Sequence, residues 1–197
     1  MSSYKASHSE HMIQAGYLYI PHPLYDEIEF EQPPQKKIYY VIFGSITPYK
    51  GIENVIENWD LNAELLIVGS CDNQEYLEHL ILLSQSKNVT INADYISEPE
   101  AATLVSGAQA MILPHMGDEM IVSGSYYFAV SFKTPVIVLK NQFYEFLKDK
   151  YNLQHIIILD SFHLLSSLDM DSILFPENEY QLMQKISQSD WLSKIDI

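Results

Sequence analysis

From Ile38 onwards, short apolar runs alternate with longer segments in which apolar and polar residues are mixed. The apolar runs are rich in Val, Ile and Leu and carry no regular polar alternation, which is typical of parallel strands covered on both faces. We therefore predict six buried strands, at Ile38–Gly44, Glu64–Gly69, Val89–Tyr95, Ala110–Pro114, Pro135–Leu139 and Ile156–Asp160.

The segments between the apolar runs have the spacing and length of helices. We predict helices near Ile52–Trp59, Gln74–Ser86, Pro99–Ser106, Ile121–Phe132 and Gln142–Lys150. Strand–helix–strand repetition of this kind predicts an α/β fold, a Rossmann-like, doubly wound and mostly parallel sheet of about six strands.

The two ends of the chain differ from its middle, so we divide it into residues 1–37, 38–160 and 161–197. The first part carries one strand-like piece, Tyr17–Ile20, and otherwise has the composition of a connector or hinge segment. The last part predicts helices at Phe162–Leu168 and Glu179–Trp191, with Pro176 in the first turn of the second. The middle part is therefore expected to hold the functional site.

Composition narrows the classes of partner. The chain has 197 residues and a formal net charge of −15, which argues against nucleic acid as the main partner. A single cysteine, Cys71, excludes an internal disulfide and is typical of a reducing compartment. The sequence shows neither a transmembrane segment nor a signal peptide, so we expect a cytoplasmic protein, peripheral to a membrane at most.

Glycine and hydroxyl residues stand at two predicted strand-to-helix junctions. The first is the segment 43–51, with Gly44, Ser45 and Thr47 ahead of Lys50, and the second is Ser123, Gly124 and Ser125. Free N–H groups and the helix dipole favour an anion at such a junction, and a lysine adds charge. Together the two junctions predict a phosphate-bearing ligand held between two loops.

Other candidate residues leave alternatives open. Gly69 ends the second strand, where a tight turn and a close ligand approach are equally good explanations. Glu119 precedes the second junction and either orients a sugar hydroxyl or supplies favourable charge near a helix start. His115 either lines a pocket at the carboxyl edge or, as the favoured interpretation, faces solvent from a loop, and the seven histidines lack the spacing of a metal site. No metal and no cofactor are predicted, and motifs for dinucleotide binding, Walker A and serine hydrolases are missing.

The order of these pieces resembles the C-terminal, donor-binding domain of group 1 (family 4-like) retaining glycosyltransferases, one half of a GT-B architecture. That family's glycine followed by Pro-x-Lys-Gly is matched by Gly44 and by Pro48–Gly51. Its later segments are matched by Val89–Pro114 and by Ser123–Ile137, and its hinge strand by His22–Tyr25. The resemblance covers residues 38 to 150 well and both ends more loosely.

The resemblance implies transfer of a sugar from a nucleotide diphosphate sugar to a glycan or lipid-linked acceptor, as in polysaccharide biosynthesis. It implies that Lys50 and the amides of 123–125 neutralise the diphosphate, while Glu119 holds sugar hydroxyls. Tyr95 and Ile96 would border the base. Two departures stand out, because Ser45 or Thr47 replaces a frequent basic residue and Phe128 replaces a glutamate.

Because a GT-B cleft is built by two domains, we expect the acceptor side on a missing N-terminal domain or a separate subunit, and the isolated chain to be inactive. We also expect an uncovered apolar surface at Tyr17, Tyr19, Leu24, Tyr25, Leu182, Ile186 and Trp191. Two other interpretations remain: a non-catalytic glycosyltransferase-like interaction module, favoured by Phe128, and a nucleotide-sugar epimerase half-domain, for which no acid/base pair is evident.

Overall fold

The computed structural model describes residues 6–7, 18–19, 22–31, 39–115 and 123–188. Within them, a sheet of six parallel strands forms the centre of the molecule and confirms the six predicted strands. The strands are β1 (Tyr39–Phe43), β2 (Glu64–Val68), β3 (Val89–Asn92), β4 (Ala110–Leu113), β5 (Val136–Leu139) and β6 (Ile156–Leu159). A separate parallel pair joins Ala6–Ser7 to Leu18–Tyr19.

Helices follow the strands in the predicted places. They are α1 (Ile52–Glu57), α2 (Gln74–Ser84), α3 (Glu98–Gly107), α4 (Gly124–Ser131), α5 (Gln142–Tyr151) and α6 (Glu177–Gln188). Single 3₁₀ segments occupy Pro48–Lys50, Phe162–Ser167 and Met170–Ser172, so the helix predicted at 162–168 has tighter turns than expected. Pro176 precedes the first turn of α6, and its carbonyl accepts the first helical hydrogen bonds.

The strand order across the sheet is β3-β2-β1-β4-β5-β6, with every neighbouring pair parallel. This is the order of a Rossmann-like sheet. Strands β1 to β3 are added towards one edge, and β4 to β6 are added towards the other, so the strand order reverses between β1 and β4. Ligands of such folds bind outside the carboxyl ends of the strands at that reversal. The loops after β1 and β4 are therefore the first place to look for a site.

Two apolar clusters cover the two faces of the sheet. Alternate residues of one strand point to opposite faces: Tyr39 and Val41 of β1 join the first cluster, whereas Tyr40 and Ile42 join the second. The first cluster also takes residues of α3, α4, α5 and α6, and the second takes residues of α1 and α2. Helices thus pack on both faces, which confirms the doubly wound architecture.

Residues 22–31 lie along the first cluster. Leu24 and Tyr25 are half-buried against it, and so are Leu182 and Ile186 of α6. These four residues are therefore partly covered and partly exposed, because the chain's own connector and last helix pack on the face of the sheet. Tyr17 and Trp191, the outer members of the expected surface, lie outside the described residues.

A buried hydrogen-bond network attaches α6 to the start of β6. His155 is fully buried, its Nδ1 donates to Glu179 Oε2 at 2.6 Å, and Tyr126 O–H donates to its Nε2 at 3.1 Å. The same carboxylate accepts the backbone N–H groups of Gln154 and His155 at 2.7 and 3.1 Å. Three donors favour the ionised form of this carboxylate, and burial lowers the pKa of His155, which favours a neutral imidazole with its proton on Nδ1.

This network makes the fold sensitive to acid. Burial lowers the pKa of His155, although the nearby Glu179 carboxylate opposes that shift. Burial opposes ionisation of Glu179, but hydrogen bonds from His155 and Gln154 lower its pKa overall. Both groups therefore bind protons more readily in the unfolded chain than in the folded one.

We expect the free energy of unfolding to fall as the pH drops below about 6.5, the ordinary histidine value, and to fall further near the ordinary glutamate value of about 4.3. Urea unfolding at pH 7, 6, 5 and 4 measures the loss, and NMR titration of the His155 ring assigns it. Protonation of His155 at pH 6.5 with no loss of stability would contradict the expectation.

Candidate functional site

The two predicted glycine junctions share one cleft at the carboxyl edge of the sheet, where the strand order reverses. The cleft has a volume of about 360 Å³. It is lined by Ile42, Phe43, Gly44, Ser45, Tyr49, Lys50, Leu113, Pro114, His115, Ser123, Gly124, Ser125 and Tyr144. The structure thus brings together the loop after β1, the loop after β4 and the first turn of α4.

Lys50 is placed by the Pro-x-Lys-Gly spacing. Pro48 begins a single 3₁₀ turn, and Gly51 ends it with φ of +65° and an N–H that donates to the Pro48 carbonyl at 3.0 Å. Glycine suits this left-handed position because it has no Cβ. As the last residue of that turn, Lys50 is directed back over Gly44.

Gly44 leaves the floor of the cleft open. A Cβ added to it would lie 3.3 Å from Lys50 Nζ and 3.8 Å from Ser125 Oγ, so the lysine and the first turn of α4 face each other across this glycine. Its φ of +112° also disfavours a larger residue. Only a glycine therefore lets a ligand approach the backbone between the two loops.

The ammonium of Lys50 has no acidic partner among the described residues, where no carboxylate oxygen lies within 4.0 Å of Nζ. Burial lowers the pKa of this lysine. A half-buried cation with no described counter-ion makes this cleft suited to an anion, even in a chain of net charge −15.

The first turn of α4 supplies hydrogen-bond donors. Ser123 caps the helix, and its hydroxyl accepts the N–H of Tyr126 at 3.1 Å. Gly124 and Ser125 occupy the first two helical positions, where N–H groups have no acceptor within the helix. Both residues line the cleft opposite Lys50. Lysine, free amides and the positive end of a helix dipole together form an anion-binding arrangement.

Gly69 supports the cleft from outside its lining. A Cβ on Gly69 would lie 2.2 Å from the carbonyl oxygen of Gly44, and its φ is +149°. The loop after β2 thus packs directly against the loop after β1. The structure gives a third reason for glycine at this position, close backbone packing against the loop after β1, and Gly69 does not line the cleft.

Several predicted site residues lie apart from the cleft. Tyr95 follows β3 at the sheet's far side and is 82 % exposed, while Ile96 packs partly on the first cluster. Neither lines the cleft, and Thr47 sits beside it with a buried hydroxyl that has no partner. Glu119 lies outside the described residues.

An aromatic cluster occupies the position where the resemblance places a ribose-binding glutamate. The ring of Phe128 lies 5.3 Å from that of Tyr25, 5.1 Å from Phe43 and 4.8 Å from Phe132. These contacts bury Phe128 to 7 % exposure, so it contributes packing and offers no hydrogen bond to a ligand.

The structure places two polar side chains in the cleft, His115 and Tyr144, that the sequence did not assign to it. His115 is half-buried rather than solvent-facing; its Nδ1 is buried without a partner, and its ring meets Tyr49 edge-on at 5.6 Å. Tyr144, from the first turn of α5, was not predicted. The available signal was an Asn141 cap three residues before a tyrosine at the carboxyl edge, and Asn141 Oδ1 indeed accepts the Tyr144 N–H at 3.0 Å.

Comparison with known proteins gives matches at the level of structure. No family model matches the chain, and no curated protein does. AviGT4, a glycosyltransferase involved in avilamycin A biosynthesis, superposes with a TM-score of 0.69 at 14 % identity, over 96 % of this chain and 61 % of that one. The chain has a glycosyltransferase fold.

Two further structures agree with this finding. Anabaena Alr3699/HepE in complex with UDP and glucose matches with a TM-score of 0.67 at 14 % identity, over 99 % of this chain and 64 % of that one. WaaG, a glycosyltransferase involved in lipopolysaccharide biosynthesis, matches with a TM-score of 0.60 at 15 % identity, over 97 % and 58 %. The chain thus spans about three fifths of the length of these structures, and the family resemblance is confirmed for the fold.

Two features are absent from the described residues. Within them, no group of three or more His, Cys, Asp or Glu side chains is arranged to hold a metal ion. In the same part of the chain, no helix has both the length and the apolar character needed to cross a membrane.

Proposed function

We propose that this chain is the donor-binding domain of a glycosyltransferase that uses a nucleotide diphosphate sugar. One observation carries the proposal: Lys50 Nζ, without a described counter-ion, faces the first turn of α4 across Gly44 in a single cleft. Its chemistry suits a diphosphate, and its place in the fold is where nucleotides bind in Rossmann-like sheets.

The same groups give a mechanism for the leaving diphosphate. Negative charge grows on that group as the bond to the sugar breaks, and fixed donors aimed at it stabilise the transition state more than the ground state. Lys50 supplies a charge, and the amides of Gly124 and Ser125 supply hydrogen bonds that need no reorganisation. We assign sugar hydroxyls to Glu119, and the proposal assigns no step to a cofactor or metal.

We assign the acceptor-binding side of the cleft to a polypeptide segment outside this sequence. Since the matched glycosyltransferase structures are longer, we propose that an N-terminal domain or a separate subunit completes the cleft and binds a glycan or lipid-linked acceptor. Donor binding is then separable from transfer, and the 197-residue chain binds the nucleotide sugar without transferring the sugar. Retention of anomeric configuration and a cytoplasmic location are part of the proposal.

A second candidate is a non-catalytic module that keeps the fold. The observation that favours it is the burial of Phe128 against Tyr25, Phe43 and Phe132, because this packing removes a carboxylate that the resemblance places on the ribose. Lys50, which has no acidic partner among the described residues, opposes it, since a domain without an anionic ligand gains nothing from a half-buried cation.

Lys50→Ala separates the two candidates. We expect it to weaken binding of UDP or GDP by about 1.5–3 kcal/mol, the contribution of a hydrogen bond to a charged group. Isothermal titration of parent and variant with UDP, GDP and their sugars measures the change.

Lys140→Ala is the matched control, since Lys140 follows β5 at the same edge of the sheet but pairs with Glu145 at 3.3 Å. It should leave affinity within about 0.5 kcal/mol of the parent, as surface substitutions usually do. Equal affinities for parent and Lys50→Ala, or equal losses in both variants, would remove the assignment.

A further inference from the structure

Unpartnered buried polar atoms gather around the cleft. Among the described residues, the buried side-chain polar atoms without a hydrogen bond are Thr47 Oγ1, His115 Nδ1 and Tyr144 OH. The first follows β1, the second follows β4 and the third lies in the first turn of α5, all at the carboxyl edge. A buried polar group without a partner costs about 1–3 kcal/mol, so such groups require an explanation.

Tyr144 is the most deeply placed of the three. It is 1 % exposed, yet it contributes to the lining of the cleft. Its hydroxyl faces Ser123, the residue that caps α4, but lacks a hydrogen bond of acceptable geometry. Burial raises the pKa of this phenol, and Ser123 only partly offsets the rise, so the group remains a neutral donor.

The ring of Tyr144 is fixed while its hydroxyl is unused. Its backbone N–H donates to Asn141, and its ring meets those of Phe143 at 5.2 Å and Tyr126 at 5.9 Å. A rigid ring holds the O–H in one place beside Ser123. The next two residues, Gly124 and Ser125, carry the free amides of the anion site.

We propose that the Tyr144 hydroxyl donates a hydrogen bond to the same phosphate group that Lys50 and the first turn of α4 hold. This assignment rests on the proposed donor-binding function. An ionised phosphate oxygen only accepts hydrogen bonds, and a neutral phenol beside it is a suitable donor. Tyr144 is then a ligand-contacting residue that favours a fully ionised diphosphate over a neutral ligand.

Tyr144→Phe tests this by removing one oxygen atom. We expect roughly tenfold to a hundredfold weaker binding of inorganic pyrophosphate and of UDP or GDP, the effect of losing a hydrogen bond to a charged group. We expect an unchanged or higher midpoint of thermal unfolding, because the hydroxyl makes no hydrogen bond in the free protein. Titration calorimetry and thermal unfolding of the full 197-residue chain measure the two effects.

Tyr126→Phe is the matched control. The Tyr126 hydroxyl does have a partner, His155 Nε2 at 3.1 Å, and is buried away from the cleft lining. Its loss should lower the thermal midpoint and leave the affinity for pyrophosphate unchanged. We therefore expect Tyr144→Phe to change the affinity but not lower the thermal midpoint, and Tyr126→Phe to do the reverse.

Each outcome decides the role of Tyr144. Equal affinity of parent and Tyr144→Phe for pyrophosphate and UDP overturns the assignment, as does a loss of stability like that of Tyr126→Phe. If Tyr144→Phe weakens binding of a nucleotide sugar but not of pyrophosphate, UDP or GDP, the phosphate contact is overturned and the hydroxyl contacts the sugar. Binding of pyrophosphate but not of UDP or GDP refutes the nucleotide-donor function, and the pyrophosphate comparison still decides Tyr144. A parent that binds none of these ligands overturns both.

Discussion

Glu179→Ala is expected to lower the free energy of unfolding by about 3–5 kcal/mol, because it leaves three buried donors unsatisfied and each costs about 1–3 kcal/mol. The side chain of Glu179 is 4 % exposed and accepts hydrogen bonds from the His155 ring and from the backbone N–H groups of Gln154 and His155. Truncation leaves all three donors without an acceptor and opens a space between α6 and β6. Urea unfolding at pH 7 measures the loss.

Glu179→Gln is the control for this result. The amide oxygen still accepts a hydrogen bond, and the volume is kept, so we expect a smaller loss of about 1–2 kcal/mol. Equal stability of parent and Glu179→Ala would show that α6 does not depend on this network.

Gly69→Ala is expected to cost about 3–5 kcal/mol, combining an unfavourable backbone conformation with overpacking. The new Cβ would lie 2.2 Å from the Gly44 carbonyl oxygen. Because this oxygen is a backbone atom, a change of side-chain rotamer cannot move it away. Relief requires the loop after β1 to move, so we also expect weaker nucleotide binding. Urea unfolding and calorimetry of the variant test both effects.

Gly124→Ala is the matched glycine, because its Cβ would meet nothing closer than the Tyr25 hydroxyl at 3.9 Å. It lies in a helix, where alanine is favourable, so its stability should stay within about 1 kcal/mol of the parent. Similar stabilities for the Gly69 and Gly124 variants would contradict the close packing of the two loops.

Most of the sheet was predictable because its central strands are mainly apolar runs, which burial on both faces explains, whereas the edge strand β3 (Val89–Asn92) alternates half-buried and exposed residues. The Gly44–Lys50 loop and the 123–125 turn were predictable because their chemistry is local: glycine, hydroxyl and lysine stand within a few residues. Parallel strands then bring the two loops to one edge without further information.

Contacts between distant polar residues could not be predicted in this way. His155 and Glu179 are 24 residues apart, and each is of a type that is normally exposed. Tyr144 looks like any other aromatic residue of an apolar helix face, and only coordinates show that its hydroxyl has no partner. The packing of residues 22–31 was missed because Pro23 and four acidic residues indicate a free connector.

The surroundings of α4 bear on how the anion site behaves as ionic strength changes. Every residue of α4 from Tyr126 to Ser131 is buried, so protein rather than electrolyte surrounds the body of the helix. Salt screens exposed charges far more than buried ones, and the repulsion from a net charge of −15 acts over long range. Added salt therefore weakens the repulsion of an approaching phosphate more than it weakens the local attraction. A strongly acidic chain whose anion-binding helix is buried behind its exposed first residue is suited to bind an anion in the ion concentrations of a cell.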